Sequence, residues 1–315
     1  MKEAFHKNPI QNNWITGEEL KPLYELKSYI SLTRIVVEYL IIALSIFLFY
    51  KIDNFWLYPL FVVIIGSRQH SLFVLLHDSA HGLICKNKFL NDLIGEMMGW
   101  SLFASMRGYR KHHIDHHVQS WLNTMKDPDF RRKQNADWAF PMKKTRFYGM
   151  IIKDLLGINF YDYITDAKAS KNVLTETPAD KKWMLGRLTF SLIFIGLITY
   201  FSHWQTFFFF WFVPFITYLK FVFRFRSIVD HFALPNTHLY DRSRTITPGI
   251  LERILIAPCS ISIHNEHHTY ARIPYYNLKK LHYKLMLHED YQQAIQKKDS
   301  YLSVVLEDLT QKSYS

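Results

Sequence analysis

Histidine is the residue type that could do chemistry here. Sixteen imidazoles in 315 residues is roughly twice the usual share, and eight of them fall into three short motifs. His77-Asp78-Ser79-Ala80-His81 is HxxxH, and the run His112 to His117 contains HxxHH at His113, His116 and His117. His264-Asn265-Glu266-His267-His268 is HxxHH again. Residues three and four apart share a helix face, so each motif aims several imidazoles at one point, and a metal ion is what would collect neutral imidazole nitrogens. A single HxxxH is expected about once by accident in such a chain, whereas each HxxHH has about 0.04 expected occurrences. Solvated or core-packed histidines account for any one motif, but not for all three.

These motifs need elements that bring them together. Ile35 to Tyr50 is an apolar run, followed after Lys51-Ile52-Asp53-Asn54 by Phe55 to Ser67 and, past Arg68-Gln69-His70, by Ser71 to Leu76. A second pair, Leu188 to Phe201 and Phe207 to Phe223, brackets Ser202 to Thr206. Each run is shorter than the roughly 20 residues that span a bilayer, so buried core helices compete with membrane spans. Two features favour the membrane: the runs come in closely spaced pairs, and of 38 Lys and Arg only Lys51 lies in the two short connections. That asymmetry fits two helical hairpins entering from the cytoplasmic side. The expected fold is therefore an all-α integral membrane protein, with four transmembrane helices in two hairpins and a cytoplasmic helical cap carrying the histidine boxes. The first box follows the second run, the second lies in the long loop from Cys85 to Arg187, and the third follows the fourth run. All eight imidazoles can then meet on one side.

Composition narrows the rest. With 49% hydrophobic and 21% charged residues the chain is neither disordered nor collagen-like, and Cys85 and Cys259 are too far apart for a zinc ribbon or disulfide framework. Met1 to Gln11 has no apolar signal-peptide core. Repeats and flexible linkers are lacking, so one integrated catalytic domain over residues 35–285 is expected, with a cytoplasmic arm at 1–34 and a cytoplasmic tail at 286–315. The formal charge of +11, concentrated in loops such as Arg131-Arg132-Lys133 and Lys143-Lys144-Thr145-Arg146, suits an anionic leaflet and could attract an acidic electron donor. No nucleic-acid partner is expected.

From Phe61 to His282 the chain resembles the membrane fatty acid desaturases, a three-histidine-box superfamily that also contains acyl and alkane hydroxylases. His77 to Gly82, HDSAHG, looks like the first box. Tyr109 to His117, YRKHHIDHH, followed by Asn123 to Asp129, NTMKDPD, is similar to the second box and its Asp-Pro-Asp sequel. His264 to His282 resembles the third box with its Pro, Leu and His, although Ala271 stands where relatives often carry Pro. Arg226 to His231 matches the family's Arg-x-x-x-acid-His segment, which adds a ninth imidazole. The resemblance implies that His77, His81, His113, His116, His117, His231, His264, His267 and His268 share two iron ions. Imidazole-only ligation by itself suits zinc, copper or iron, and the multiplicity is what points to a binuclear redox site.

Chemistry follows from that. No side-chain base can take hydrogen from an unactivated methylene, so the oxidising strength must come from O2 activated on metal. The resemblance implies a fatty acyl or lipid substrate held in the bilayer, O2 as co-substrate, and an active site on the cytoplasmic side of a bacterial inner membrane or endoplasmic reticulum. The chain lacks a nucleotide-binding glycine fingerprint and a His-Pro-Gly-Gly haem motif, so a separate donor of ferredoxin or cytochrome b5 type is expected. Competing readings are a hydroxylase or other oxygenase on the same site, and a non-redox membrane zinc hydrolase.

Other histidines read differently. His112 is a ligand only in a shifted register, His70 reads as a polar or core residue, His282 as packed or hydrogen-bonded, and His6, His203, His238 and His288 as surface residues. Asp78, Asp115, Asp230 and Glu266 adjoin the proposed ligands and are candidates to hold their outer nitrogens. Trp100, Phe103, Tyr109, Tyr161 and Trp183 are candidates to line an alkyl channel.

Overall fold

A computed structural model describes residues 14–160 and 178–310, so Tyr161 and His6 lie outside the described residues. The elements that position the site are helices α1 (Ser28–Ile52), α2 (Tyr58–Ala80), α3 (Lys88–Ser101), α4 (Met106–His116), α5 (Lys144–Leu155), α6 (Pro178–Tyr200), α7 (Trp204–His231), α8 (Ile250–Leu255), α9 (His264–Thr269) and α10 (Tyr275–Leu285). Among the described residues the one sheet is a parallel pair of three-residue strands, β1 (Arg244–Ile246) and β2 (Gln296–Lys298).

Among the described residues four helices are long and apolar enough to cross a membrane: Ser28–Ile52, Phe55–Ala80, Lys181–Tyr200 and Trp204–His231. At 1.5 Å per residue, 20 residues reach about 30 Å, the thickness of a hydrocarbon core. The individual apolar runs fall short because the helices continue through their polar flanks. Leu185, Leu188, Leu192, Ile193 and Leu197 of α6 are all more than half exposed, which is the surface a lipid-facing helix presents. The phenylalanine run of α7 divides its work, with Phe208 and Phe209 exposed while Phe210 and Phe215 are buried. Two π-helical turns, Phe208–Phe212 and Phe215–Leu219, flank Pro214, whose missing N–H cannot continue a regular ladder.

Charge inside the spans is paired. Glu38, fully buried in α1, accepts from Ser71 Oγ at 2.6 Å and pairs with Arg34 at 2.5 Å and Arg68 at 3.2 Å. Arg68 also donates to the Ile254 carbonyl of α8. An isolated buried ion is costly and a paired, hydrogen-bonded one is tolerated, so this network fastens α1, α2 and α8 together.

α3 lies across the end of α2. Its start is capped by Asn87, whose side chain accepts from Leu90 N at 3.0 Å. A Cβ added at Gly95 would meet Ser79 Oγ at 2.1 Å, so only glycine permits this approach. At the far end of the chain, Tyr301, Val304, Val305 and Leu309 are buried in the same core as Leu72, Leu75 and Leu76 of α2.

Candidate metal centre

Local structure dictates how the boxes aim. α2 ends on the first box, and the chain leaves it through Gly82 at φ +80°, the left-handed residue that commonly stops a helix. Leu83 N and Gly82 N return to the carbonyls of Asp78 and Ser79. α4 begins at Ser105, which caps Gly108 N at 3.2 Å, and ends on the second box. α9 is the third box itself, and all six of its residues are buried.

The nine imidazoles gather into two groups. His77, His81, His113, His117 and His267 each place one nitrogen within 4.8 Å of the others, and His116, His231 and His268 do the same. His264 joins the second group, with Nε2 2.8 Å from His231 Nε2 and 3.2 Å from His268 Nε2. The division follows the spacing. In each HxxHH motif the i,i+4 pair faces one group, and the residue at i+3, about 100° round the helix, faces the other. Box two gives His113 and His117 to the five-histidine group and His116 to the four; box three gives His264 and His268 to the four and His267 to the five.

A metal fits these groups. Four facing Nε2···Nε2 pairs lie 2.8–3.2 Å apart: His81–His113, His117–His267, His231–His264 and His264–His268. Nitrogens bound to one ion at roughly 2.0–2.1 Å stand about 3 Å apart. Burial holds His113, His117, His264, His267 and His268 well below the ordinary imidazole pKa, with neighbouring histidines adding to the effect. His81 is pushed down to about 3 by burial and then by Arg110. The rings are therefore neutral at pH 7 with lone pairs to give. Nine imidazoles in two groups exceed one tetrahedral ion and match two.

Outer contacts are uneven. His116 Nδ1 lies 3.0 and 3.1 Å from the two carboxylate oxygens of buried Asp127. A carboxylate only accepts, so Nδ1 carries the proton and Nε2 is free to ligate. Tyr109 OH is 3.1 Å from His113 Nδ1, and its ring stacks on that imidazole at 4.8 Å and 18°. His77 Nδ1 meets Asp78 Oδ1 at 3.3 Å. By contrast, Nδ1 of His117, His231, His264 and His268 is buried without a hydrogen-bond partner.

The other candidates separate accordingly. Of the four carboxylates adjoining ligands, Asp78 touches one, Glu266 instead binds His282 and Thr245, Asp230 pairs with Arg226 at 2.5 Å, and Asp115 is exposed. Asp127 was visible only as the first acid of the Asp-Pro-Asp motif, and nothing in its spacing from His116 signalled contact. Tyr109, expected along a channel, packs on a site histidine. Trp100 and Trp183 meet at 6.4 Å beside Phe89 and Phe190, and Phe103 packs on Phe215 at 5.0 Å. His112 and His70 lie outside both groups. His70 is fully buried against Phe223, His203 and His238 are exposed, and His288 is half-buried.

Comparison with known proteins gives the family. The model of the family described as fatty acid desaturase matches residues 53–296, and the chain belongs to that family. It is thus an oxidoreductase and a membrane protein of a family that uses iron. Among its relatives, dihydrorhizobitoxine desaturase of Bradyrhizobium elkanii is 25% identical over 236 residues, which are 72% of this chain and 67% of the relative. The sn-1 acyl-lipid omega-3 desaturase (ferredoxin) of Nostoc sp. (strain 36) is 25% identical over 252 residues, 73% of this chain and 67% of the relative. The protein of the same name from Synechocystis sp. is 33% identical over 105 residues, 31% of this chain and 28% of the relative.

Proposed function

We propose that this protein is a membrane-bound, O2-dependent fatty acyl or lipid desaturase whose nine histidines hold two iron ions, five on one and four on the other. The observation that carries this reading is the gathering of nine imidazoles from four separate segments into two adjoining groups. Iron bound there would supply the O2 chemistry that takes two hydrogens from neighbouring methylenes, so that an acyl chain, O2, two electrons and two protons give an alkene and two waters. The chain's own residues set the geometry. Asp127 and Tyr109 fix the rings of His116 and His113, and the buried core around α2, α4 and α9 keeps bulk water from the site.

Desaturation is favoured over hydroxylation because relatives that align across most of this chain are named as desaturases. Electrons come from a separate carrier, ferredoxin or a cytochrome b5 type protein; the name of the Nostoc relative supports the first. The histidines lie on the cytoplasmic side, since the two short connections that face away carry a single cation, Lys51.

Metal analysis and lipid mass spectrometry with double-bond localisation, on cells with and without the protein, test the reading together. Two irons per chain and a new unsaturated lipid are expected. A hydroxylated product would overturn desaturation while leaving the metal centre intact, and one zinc with no iron would overturn both.

A further inference from the structure

The four-histidine group is aimed from behind. Three of its members, His231, His264 and His268, have an outer Nδ1 that is buried and meets no hydrogen-bond partner among the described residues, so hydrogen bonds to those nitrogens do not set their direction. Backbone placement must do so, and one short strand holds both backbones. Arg244, 1% exposed in β1, donates from Nη1 to the carbonyls of Val229 at 2.6 Å and Phe232 at 2.7 Å, and from Nη2 to Ala233 at 2.7 Å. These carbonyls lie at the end of α7, on either side of His231, where a helix leaves its last carbonyls without partners. Ala233 turns the chain away at φ +51°. The next residue, Thr245, donates to Glu266 in α9 and accepts from Asn265 N at 3.3 Å. Asn265 Nδ2 in turn donates to the carbonyls of Tyr240 and Ser243 at 2.5 and 3.1 Å.

We propose that Arg244 is the positioning residue of the four-histidine group: its guanidinium fixes the end of α7, and with Thr245 beside it the strand sets His231 against His264 and His268. The C-terminal segment completes the grip, because Asp308 pairs with Arg244 at 3.1 Å and β2 pairs with β1 residue for residue from Arg244 to Ile246. The five-histidine group shares the Thr245 hold on α9 through His267 but none of the Arg244 contacts at the end of α7. Loss of Arg244 therefore weakens the four-histidine group and leaves the other loaded. This inference rests on the metal-centre reading above.

The test titrates metal-free full-length protein in lipid nanodiscs with Co2+, following the absorption bands and the bound metal per chain. Wild type should take two ions. Arg244→Ala should keep the first and bind the second roughly 10–100-fold more weakly, and His231→Ala should weaken the same ion at least as much. The double variant should lose no more than either single one, since both act on one ligand. Arg244→Lys keeps the charge but cannot make the fork, and it should recover less than half of the loss; because it is the milder change, it carries the test if Arg244→Ala does not fold. Glu307→Gln, which removes only an exposed pair with Lys298, should match wild type. Wild-type affinity for the second ion in Arg244→Lys, or additive losses in the double variant, would overturn the proposal. A wild type that binds fewer than two ions would overturn the metal-centre reading first.

Discussion

The two histidine groups adjoin, yet they are built from different materials. The five-histidine group is braced by side chains on neighbouring helices. Arg110 of α4 donates to both oxygens of Asp92 in α3 at 2.6 and 3.0 Å, and to the carbonyls of Ala80 and Ser79 at the end of α2, both at 2.9 Å. One guanidinium thus locks the first box to the second, and Glu96 of α3 accepts from Arg107 N at 2.9 Å to hold the start of α4. The four-histidine group draws on segments far apart in sequence: α4 for His116, the end of α7 for His231, α9 for His264 and His268, with β1 and the C-terminal residues behind them. The first draws four of its five histidines from one stretch of about forty residues and adds His267 from α9, whereas the second has Asp308 and β2 packed behind the strand that holds it. Ligand identity is thus only part of a metal site, and each group inherits the stability of whatever holds its helices.

The comparison breaks most sharply at the ligands. His77→Ala and His267→Ala should each empty the five-histidine site, while His264→Ala should empty the four, and all three should abolish desaturated product in cells because both ions are needed. His238→Ala and His288→Ala should leave metal and product unchanged. If a variant in one group released both ions, the groups would be one cooperative unit and the contrast would disappear.

Next in size is the brace. Arg110→Ala leaves the partly buried Asp92 with only Arg107, at 3.6 Å, for charge pairing, and breaking such a pair costs about 3–5 kcal/mol when it is well buried, less here because the Arg110 side chain is 20% exposed. Thermal unfolding in nanodiscs should fall by several degrees, and the five-histidine ion should be lost before the four-histidine one. Equal loss at both sites would argue for general destabilisation.

Acid should strain the metal-free protein. The imidazoles of His81, His113, His117, His264, His267 and His268 titrate below their ordinary value because burial disfavours the charged ring. Below pH about 6.5 the unfolded chain takes up protons that the folded one refuses, so stability falls as pH falls, by about 1.4 kcal/mol per pH unit for each such ring. The window runs from 6.5 down towards 3 for His81. Unfolding temperature of the metal-free protein should therefore drop steeply between pH 7 and 5, and bound metal should raise that temperature across the range without flattening the slope, because it keeps the folded rings neutral. A flat profile without metal would mean the groups are open to water.

Much of this was legible in the sequence, for a physical reason. Spacings of three and four carry helix geometry directly, so the eight box histidines that gather could be picked out from His77, His113 and their partners, whereas His231 came only from the family resemblance; the paired apolar runs carried the four long helices. How nine histidines divide could not be read, because which face of α4 meets which face of α9 depends on tertiary packing. The supports were least visible. Arg244 and Asp92 look like ordinary charges until folding buries them, Thr245 has no motif, and Tyr109 reads as one aromatic among many. Long-range contacts such as His116–Asp127 and Arg244–Asp308 leave no periodic trace.

A finer test of the contrast is Asp127→Asn. The amide can still meet His116 Nδ1 but no longer carries the charge that favours one tautomer and strengthens the ring as a donor. Metal affinity at the four-histidine site should weaken roughly 10–100-fold, with the five-histidine site unaffected in the same titration.

The smallest expected effect falls on Tyr109→Phe. The phenylalanine ring keeps the stack on His113 and removes only the hydroxyl 3.1 Å from Nδ1. One neutral hydrogen bond contributes about 0.5–1.5 kcal/mol, so affinity of the five-histidine site should weaken by roughly 2- to 13-fold. Tyr109→Leu removes the stack as well and should cost more. The direction of the difference matters more than its size. A hydroxyl that orients His113 acts on one site alone, so a matching loss at the four-histidine site, or a Phe variant as good as wild type beside a poor Leu variant, would show that Tyr109 supports α4 by packing and does not aim the imidazole.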